Sequence, residues 1–410
     1  MQAYVGSIFE IFKIGVGPSS SHSIGPQRAA RWFLQLLETK PDRIRVTLFG
    51  SLAATGKGHL TDKSIADVLQ PIPHEFVWDT ETTKLGHPNT MRFEAFDRQG
   101  RLIKDWTVYS VGGGNLVDSN GATGESEETR YPVKDILGAI SFCDDRKMTF
   151  WQFVERTESD VWNRLGRIWD TMKESIRRGL ESEQILLPGS LKLARRAHTT
   201  YERAKSFMSP QSDIAFLAAF AMAVAEENAN GGTIVTAPTC GSAGVLPGLL
   251  YYYEAVKEIP REAILKALAT AGLFGSVIRA NASISGAEVG CQGEIGSACS
   301  MAAAAASQLL GGTLRQIEYA AEVAMEHHLG LTCDPVEGYV QIPCIERNMT
   351  ACLRAFESAA FSMMTDGKHL VSFDDAVEVM YKTGNDMKTA YRETARGGLA
   401  SLWRKRVAHG

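Results

Sequence analysis

The chain has 410 residues, 44% of them hydrophobic and 22% charged, a composition that suits a folded globular protein with room for two or three domains and excludes a largely disordered one. A formal net charge of -4 leaves no basic field for a phosphate backbone, and the short run Arg404, Lys405, Arg406 does not supply one, so nucleic acid is excluded as a partner. Seven cysteines without a C-x-x-C pair argue against a thioredoxin-type centre and against ordinary zinc spacing.

From the N-terminus, residues 1–12 carry no basic region and reach Lys13 before any long apolar run, so no secretory signal is read there and a cytoplasmic location with reduced thiols is expected. The segment 15–26 follows, packing Ser19, Ser20, Ser21, Ser23 and His22 between glycine–proline brackets. Its hydroxyls, exposed N–H groups and the start of the next helix suit a carboxylate, although serine-rich turns more often just cap a helix. His22 reads either as a general base or as a capping partner.

Ile44, Val46 and Leu48 alternate with Arg45 and Thr47, the period of a half-buried strand. The glycine turn 50–59 after it has five residues between Gly50 and Gly56, and Gly58 where a phosphate-binding loop needs Ser or Thr, which excludes a nucleotide site. Lys57 and His59 on that turn read equally as solvated residues or as groups reaching a neighbouring active site, where His59 would move protons near neutral pH. A second strand at Met91, Phe93 and Ala95, the turn 97–100 and a strand-like run 102–109 form a hairpin before the Gly112–Gly114 loop. An α+β domain over residues 1–130 follows.

The segment 121–129 is rich in Gly, Ser, Thr and Glu and reads as an exposed loop, and residues 131–150 as a linker to a second domain at 151–410. Helical spacing marks 153–180, 213–228, 261–279, 294–310, 314–328, 345–364 and 374–388, so this second domain is expected to be all-helical. The apolar run 214–224 is about half the length that spans a bilayer and ends in Glu226 and Glu227, which makes it a buried helix and no membrane anchor. The alanines at 302–306 predict close helix packing. Between these helices, the small-residue loop 236–244, with Thr239 and Gly241, offers backbone N–H groups to a second carboxylate.

Cys291, Cys333 and Cys344 each sit at a predicted helix terminus, where three thiolates can point into one cavity and hold an iron–sulfur cluster. Cys299 and Cys352 lie eight residues inside the helices begun near Cys291 and Cys344, a rise of about 12 Å, and read as core thiols. Inert burial of all seven is the plain alternative, because free cysteine is commonly buried. His327 and His328 are adjacent on a helix, point in different directions and are not read as ligands.

Taken together, 17–22, 56–59, 281–293, 330–335, 343–348 and 391–398 closely resemble the iron–sulfur-dependent L-serine dehydratases, nearly end to end and in their single-chain form. The resemblance implies a [4Fe–4S] cluster on Cys291, Cys333 and Cys344, with the fourth iron acting as Lewis acid on the hydroxyl of L-serine while a base takes the Cα proton. It places His59 or His22 as that base and Lys57 as a supporting charge. Ser19, Ser20, Ser21, Thr239, Gly241, Asn281, Ser283, Ser285 and Arg396 would surround the substrate, with the N-terminal domain closed over the helical one, and a homodimer is expected. Some members bring a C-terminal cysteine to the fourth iron. No cysteine follows Cys352 here, so water, His409 or Cys240 takes that place and an oxygen-sensitive cluster is expected. Two other readings stay open: L-cysteine desulfidation on the same cluster, and a non-catalytic amino-acid-binding regulator with a structural cluster. A pyridoxal phosphate enzyme is disfavoured because no lysine sits in a cofactor-linking motif.

Overall fold

A computed structural model describes residues 5–82, 86–122 and 129–409, apart from the side chain of His409. The alternating segments near the N-terminus do form a sheet. Its strands are β2 (Arg43–Phe49), β3 (His74–Asp79), β4 (Thr90–Phe96), β5 (Leu102–Ser110) and β6 (Leu116–Asp118), and β1 (Ile14–Val16) lies outside it. They run in the order β3-β2-β4-β5-β6, with β2 and β3 parallel and the other pairs antiparallel. A parallel pair needs a crossover, here supplied by the helices Gly50–Thr55 and Thr61–Leu69. In register, Val46 lies opposite Phe93 and Phe93 opposite Trp106. Phe33 of the Gly25–Gln35 helix stacks on Phe93 at 5.2 Å, closing a small core of its own. The strand β3 gave no alternating signal because His74, Glu75 and Asp79 interrupt it.

The remainder is helical, as the spacing predicts. The Val245–Ala255, Arg261–Asn281, Leu314–Glu326 and Cys344–Met363 helices pack around the alanine-rich Ser297–Leu309 helix, which is buried from Ser297 to Ser307. The Arg261–Asn281 helix is long and apolar enough to cross a membrane by composition, yet Ile264 and residues 267–278 are buried in this core. Glycine permits the closest approaches: a Cβ on Gly248 would stand 2.7 Å from the backbone nitrogen of Ala221.

Three expectations change. The helix predicted over 153–180 is two, Phe150–Thr157 and Val161–Glu181, because Glu158 between them turns inward to accept hydrogen bonds from Ser7 Oγ at 3.0 Å, Ile8 N at 2.9 Å and Tyr131 Oη at 3.0 Å. The expected linker 131–150 contains a packed helix, Ile136–Arg146, with Ile136, Ala139, Ile140 and Cys143 buried. Residues 123–128 of the expected exposed loop lie outside the described residues.

The third change positions the site. Val5, Ile8, Phe9, Ile11 and Phe12 sit in the helical core rather than with the sheet, although they fall within the expected domain 1–130. β1 then pairs antiparallel with β7 (Thr233–Val235), Ile14 opposite Val235. That two-stranded ribbon brings the serine loop that follows β1 beside the small-residue loop that follows β7.

Candidate active site

The serine loop is clamped where β1 delivers it. Asn228 at the end of the Gln211–Ala229 helix donates to the Pro18 carbonyl at 2.8 Å, and a Cβ on Gly17 would lie 2.2 Å from Asn228 Oδ1, so only glycine fits. Ser19 caps the turn by accepting from the His22 N–H. Ser23 Oγ donates to the His59 carbonyl at 2.7 Å, and Thr61 Oγ1 donates to the His22 carbonyl, tying the serine loop to the glycine turn.

These ties bring the two histidines together, both buried. His22 Nδ1 meets Ser21 Oγ at 2.8 Å and its Nε2 meets Ser51 Oγ at 3.1 Å. Neither ring nitrogen of His59 has a hydrogen-bond partner among the described residues. Burial lowers the pKa of His22 well below the usual value, with the neighbouring His59 adding to it, and lowers that of His59 to about 4, partly offset by the Gly338 backbone. Both rings are therefore neutral at pH 7, and His59 keeps a free lone pair.

His59 faces a cavity that it lines together with Ser19, Gly241, Cys291, Cys333 and Cys344. Each cysteine arrives from a different break in the helical region. Cys291 precedes the turn Gln292–Gly296, Cys344 opens the Cys344–Met363 helix, and Cys333 is held in a loop where its N–H donates to the Tyr391 carbonyl at 2.8 Å and its carbonyl accepts from Glu393 N at 2.8 Å.

Two charged residues that line the cavity, Glu294 and Glu393, and Arg347 beside its thiols were given no role from the sequence. Glu294 lies close enough to Cys291 and Cys333 for their donor atoms to fall within 4.8 Å of one another. Burial raises the pKa of Glu294, and burial together with Glu294 and Cys291 raises that of Glu393. Arg347 donates to the Thr332 carbonyl at 2.6 Å and pairs with Asp334 at 3.4 Å. The Cys333 thiol, by hydrogen bonding, and the Arg347 guanidinium lower the pKa of Cys291, against its burial. Only Glu294 carried a signal, as a charged residue inside an otherwise small-residue stretch; Arg347 and Glu393 stand among other charged residues and gave none.

The cavity fits an iron–sulfur cluster on two counts. Three thiols converge with a guanidinium beside them to balance thiolate charge. Space is also kept open beside them: a Cβ on Gly286 would stand 3.2 Å from Cys333 Sγ and 2.8 Å from Glu294 Oε2. Cys299 and Cys352 lie in the helical core as expected, with the Cys299 thiol 3.2 Å from the Ala351 carbonyl. Cys240 is buried beside Glu294 but does not line the cavity, and the His409 side chain lies outside the described residues.

Other expected site residues fall behind or away from this cavity. Ser21 stands behind His59 through His22, Ser20 is buried in the same turn, and Thr239 contacts Ser242 Oγ at 3.2 Å and touches Glu294. Ser283 is spent within its own turn, bonding Glu288 and the Ser285 N–H, and Ser285 packs under Gly112. Lys57 does not face the cavity: it is exposed, with its ammonium 5.5 Å from the Trp78 ring centroid. Asn281 is also exposed, donating to the Lys134 carbonyl at 2.7 Å, and Arg396 is exposed. All three lie where a long or amide side chain finds water or a local carbonyl more readily than a closed pocket.

Residues 7–71 match the serine dehydratase beta chain family and residues 77–400 the serine dehydratase alpha chain family. The chain is 41% identical to the L-serine dehydratase of Streptomyces coelicolor, over 96% of this chain and 98% of that one. It is 38% identical to the L-serine dehydratase of Haemophilus influenzae over the same shares, and 39% to that of Mycobacterium tuberculosis over 96% and 97%.

Proposed function

The chain belongs to the serine dehydratase family, and we infer that it is an L-serine ammonia-lyase that releases pyruvate and ammonia, with Cys291, Cys333 and Cys344 holding a [4Fe–4S] cluster. The observation that carries this reading is the convergence of those three cysteines and the unpartnered His59 on one enclosed cavity. A bound cluster would supply Lewis acidity toward the hydroxyl that leaves as water.

The protein's own groups divide the remaining work. His59, neutral through burial, accepts the Cα proton on a ring nitrogen, and His22 edge-on beside it steadies the imidazolium through its Ser21 and Ser51 contacts. Ser19 and the backbone around Gly241 hold the substrate carboxylate. Glu294 and Glu393, raised toward the neutral form, face the amino group. Enclosure keeps bulk water from the aminoacrylate product until it leaves the cavity, where it becomes an imine and hydrolyses.

One anaerobic preparation tests the reading by assay of iron, sulfide and serine-dependent pyruvate, with L-cysteine as the competing substrate. Pyruvate from L-serine in proportion to iron content is expected. Turnover by metal-free protein would sink the cluster, and faster release from L-cysteine would reassign the substrate. The homodimer and cytoplasmic location expected from the sequence belong to the same reading, and sedimentation velocity checks the first.

A further inference from the structure

A second cavity, of about 660 Å³, shares no lining residue with the cysteine site. It lies between the Leu314–Glu326 helix, the later turns of the Cys344–Met363 helix and the segment 369–371, and its volume is that of a small-molecule site.

Two polar groups of its lining are buried without satisfaction. Glu322 is 3% exposed and Ser358 is 2% exposed, and neither Glu322 Oε1 nor Ser358 Oγ has a hydrogen-bond partner among the described residues. Leaving such a group unsatisfied costs about 1–3 kcal/mol, and both residues line the same space. Charge in the lining is uneven: Glu326 and Glu357, with Glu322 as a protonated carboxyl between them and the core, stand against the guanidinium of Arg354, with His327 and His369 alongside. Glu318, one turn from Glu322 and 3.1 Å from His369 Nε2, adds to the negative field. Burial, then Glu326 and Glu318, push the Glu322 carboxyl up to about 8, so the group holds a proton near pH 7 that an incoming cation would displace.

Aromatic rings line the cavity one turn away along the same two helices. Tyr319 stacks on His369 at 4.1 Å and meets Phe361 edge-on at 5.7 Å, presenting ring surface of the kind that attracts ammonium groups. A metal ion suits the place less well, since no three donor atoms of this cavity lie within 4.8 Å of one another among the described residues.

We propose that this cavity binds a small organic ammonium, whose N–H groups donate to Glu322 and Ser358 while its hydrocarbon body lies against Tyr319 and Phe361. This does not depend on the reaction inferred above, and the iron and pyruvate assays do not bear on it.

Titration calorimetry of the full-length, anaerobically prepared protein with 2-phenylethylammonium tests the site, with 2-phenylethanol as the neutral isostere and L-phenylalanine as the same amine carrying a carboxylate. The ammonium should bind at sub-millimolar concentration and the alcohol at least about tenfold more weakly. Glu322→Gln should weaken the ammonium by about tenfold or more and Ser358→Ala by about threefold, both with L-serine turnover unchanged and melting temperature retained. Below pH 8, binding should release protons, seen as heat that varies with buffer ionisation enthalpy, and Glu322→Gln should abolish that variation. Tighter binding of L-phenylalanine than of the amine would assign Arg354 to its carboxylate, and weaker binding would assign a simple amine; either supports the site. Equal binding of alcohol and ammonium, indifference to Glu322→Gln in folded protein, or no binding up to roughly 10 mM overturns the proposal.

Discussion

The His22 and His59 imidazoles meet edge to face, ring centroids 4.6 Å apart at 68°, with both rings cut off from solvent. His22 spends both its nitrogens on serine hydroxyls, whereas His59 spends neither. The two rings therefore divide into a holder and an acceptor. His59→Asn should lower kcat by about 10²- to 10⁴-fold with iron content unchanged from that of the parent protein. His22→Asn should cost less, since it removes support rather than the lone pair. Equal losses in the two variants would reverse the assignment.

The same burial makes acid stability a readout. Folded His59 titrates near 4 against 6.5 for an unperturbed histidine, and His22 is shifted in the same direction. Between those values the unfolded chain binds the proton that the folded one refuses. Stability is complete above pH 6.5 and falls as the pH drops toward 4, by about 3 kcal/mol for His59 alone. Urea unfolding at pH 7 and pH 4.5 checks this: the difference between the two should shrink in His59→Asn.

Cys291→Ser, Cys333→Ser and Cys344→Ser should each abolish the cluster's visible absorbance and its iron, while Cys299→Ala and Cys352→Ala, whose thiols lie in the helical core, should keep both. Gly286→Ala offers a steric version of the same test. Its Cβ would press on Cys333 Sγ and Glu294, so iron loading should fall although no ligand has been removed.

Arg195 joins the Val161–Glu181 and Gln211–Ala229 helices. Its guanidinium pairs with Glu226 at 3.3 Å and Glu227 at 2.9 Å, and all three side chains are nearly excluded from water. Arg195→Met removes one partner from each carboxylate, leaving Glu227 to Arg178 and Glu226 to the Arg196 and Ala197 N–H groups, and should cost about 1–3 kcal/mol. The double variant with Glu226→Gln should recover part of that loss in a thermal melt.

Much of the architecture was legible in the residues. The 3.6-residue period located the Gln211–Ala229, Arg261–Asn281 and Cys344–Met363 helices to within a few residues, because burial of one face or all faces is written directly into apolar spacing. The position of Cys291 and Cys344 at helix ends was legible for the same reason, whereas Cys333, also expected at a helix terminus, lies in a loop beyond the Leu314–Glu326 helix, held by its bridge to Arg392. β1, β6 and β7 were not, since three-residue strands hold no measurable period. Nor was the break at Glu158, whose cause is three donors from elsewhere in the chain.

By itself the sequence determined the α+β and all-helical halves, the cysteines able to reach a common point and the histidines able to carry a proton, because periodicity and residue chemistry are local properties. Only the tertiary structure decided which candidates meet. It turned Lys57, Asn281 and Arg396 outward and set Glu294, Arg347 and Glu393 beside the thiols. Those outcomes hang on the pairing of Ile14 with Val235 and of Cys333 with the strand-like segment at Arg392, contacts between residues far apart in the chain that no local pattern encodes.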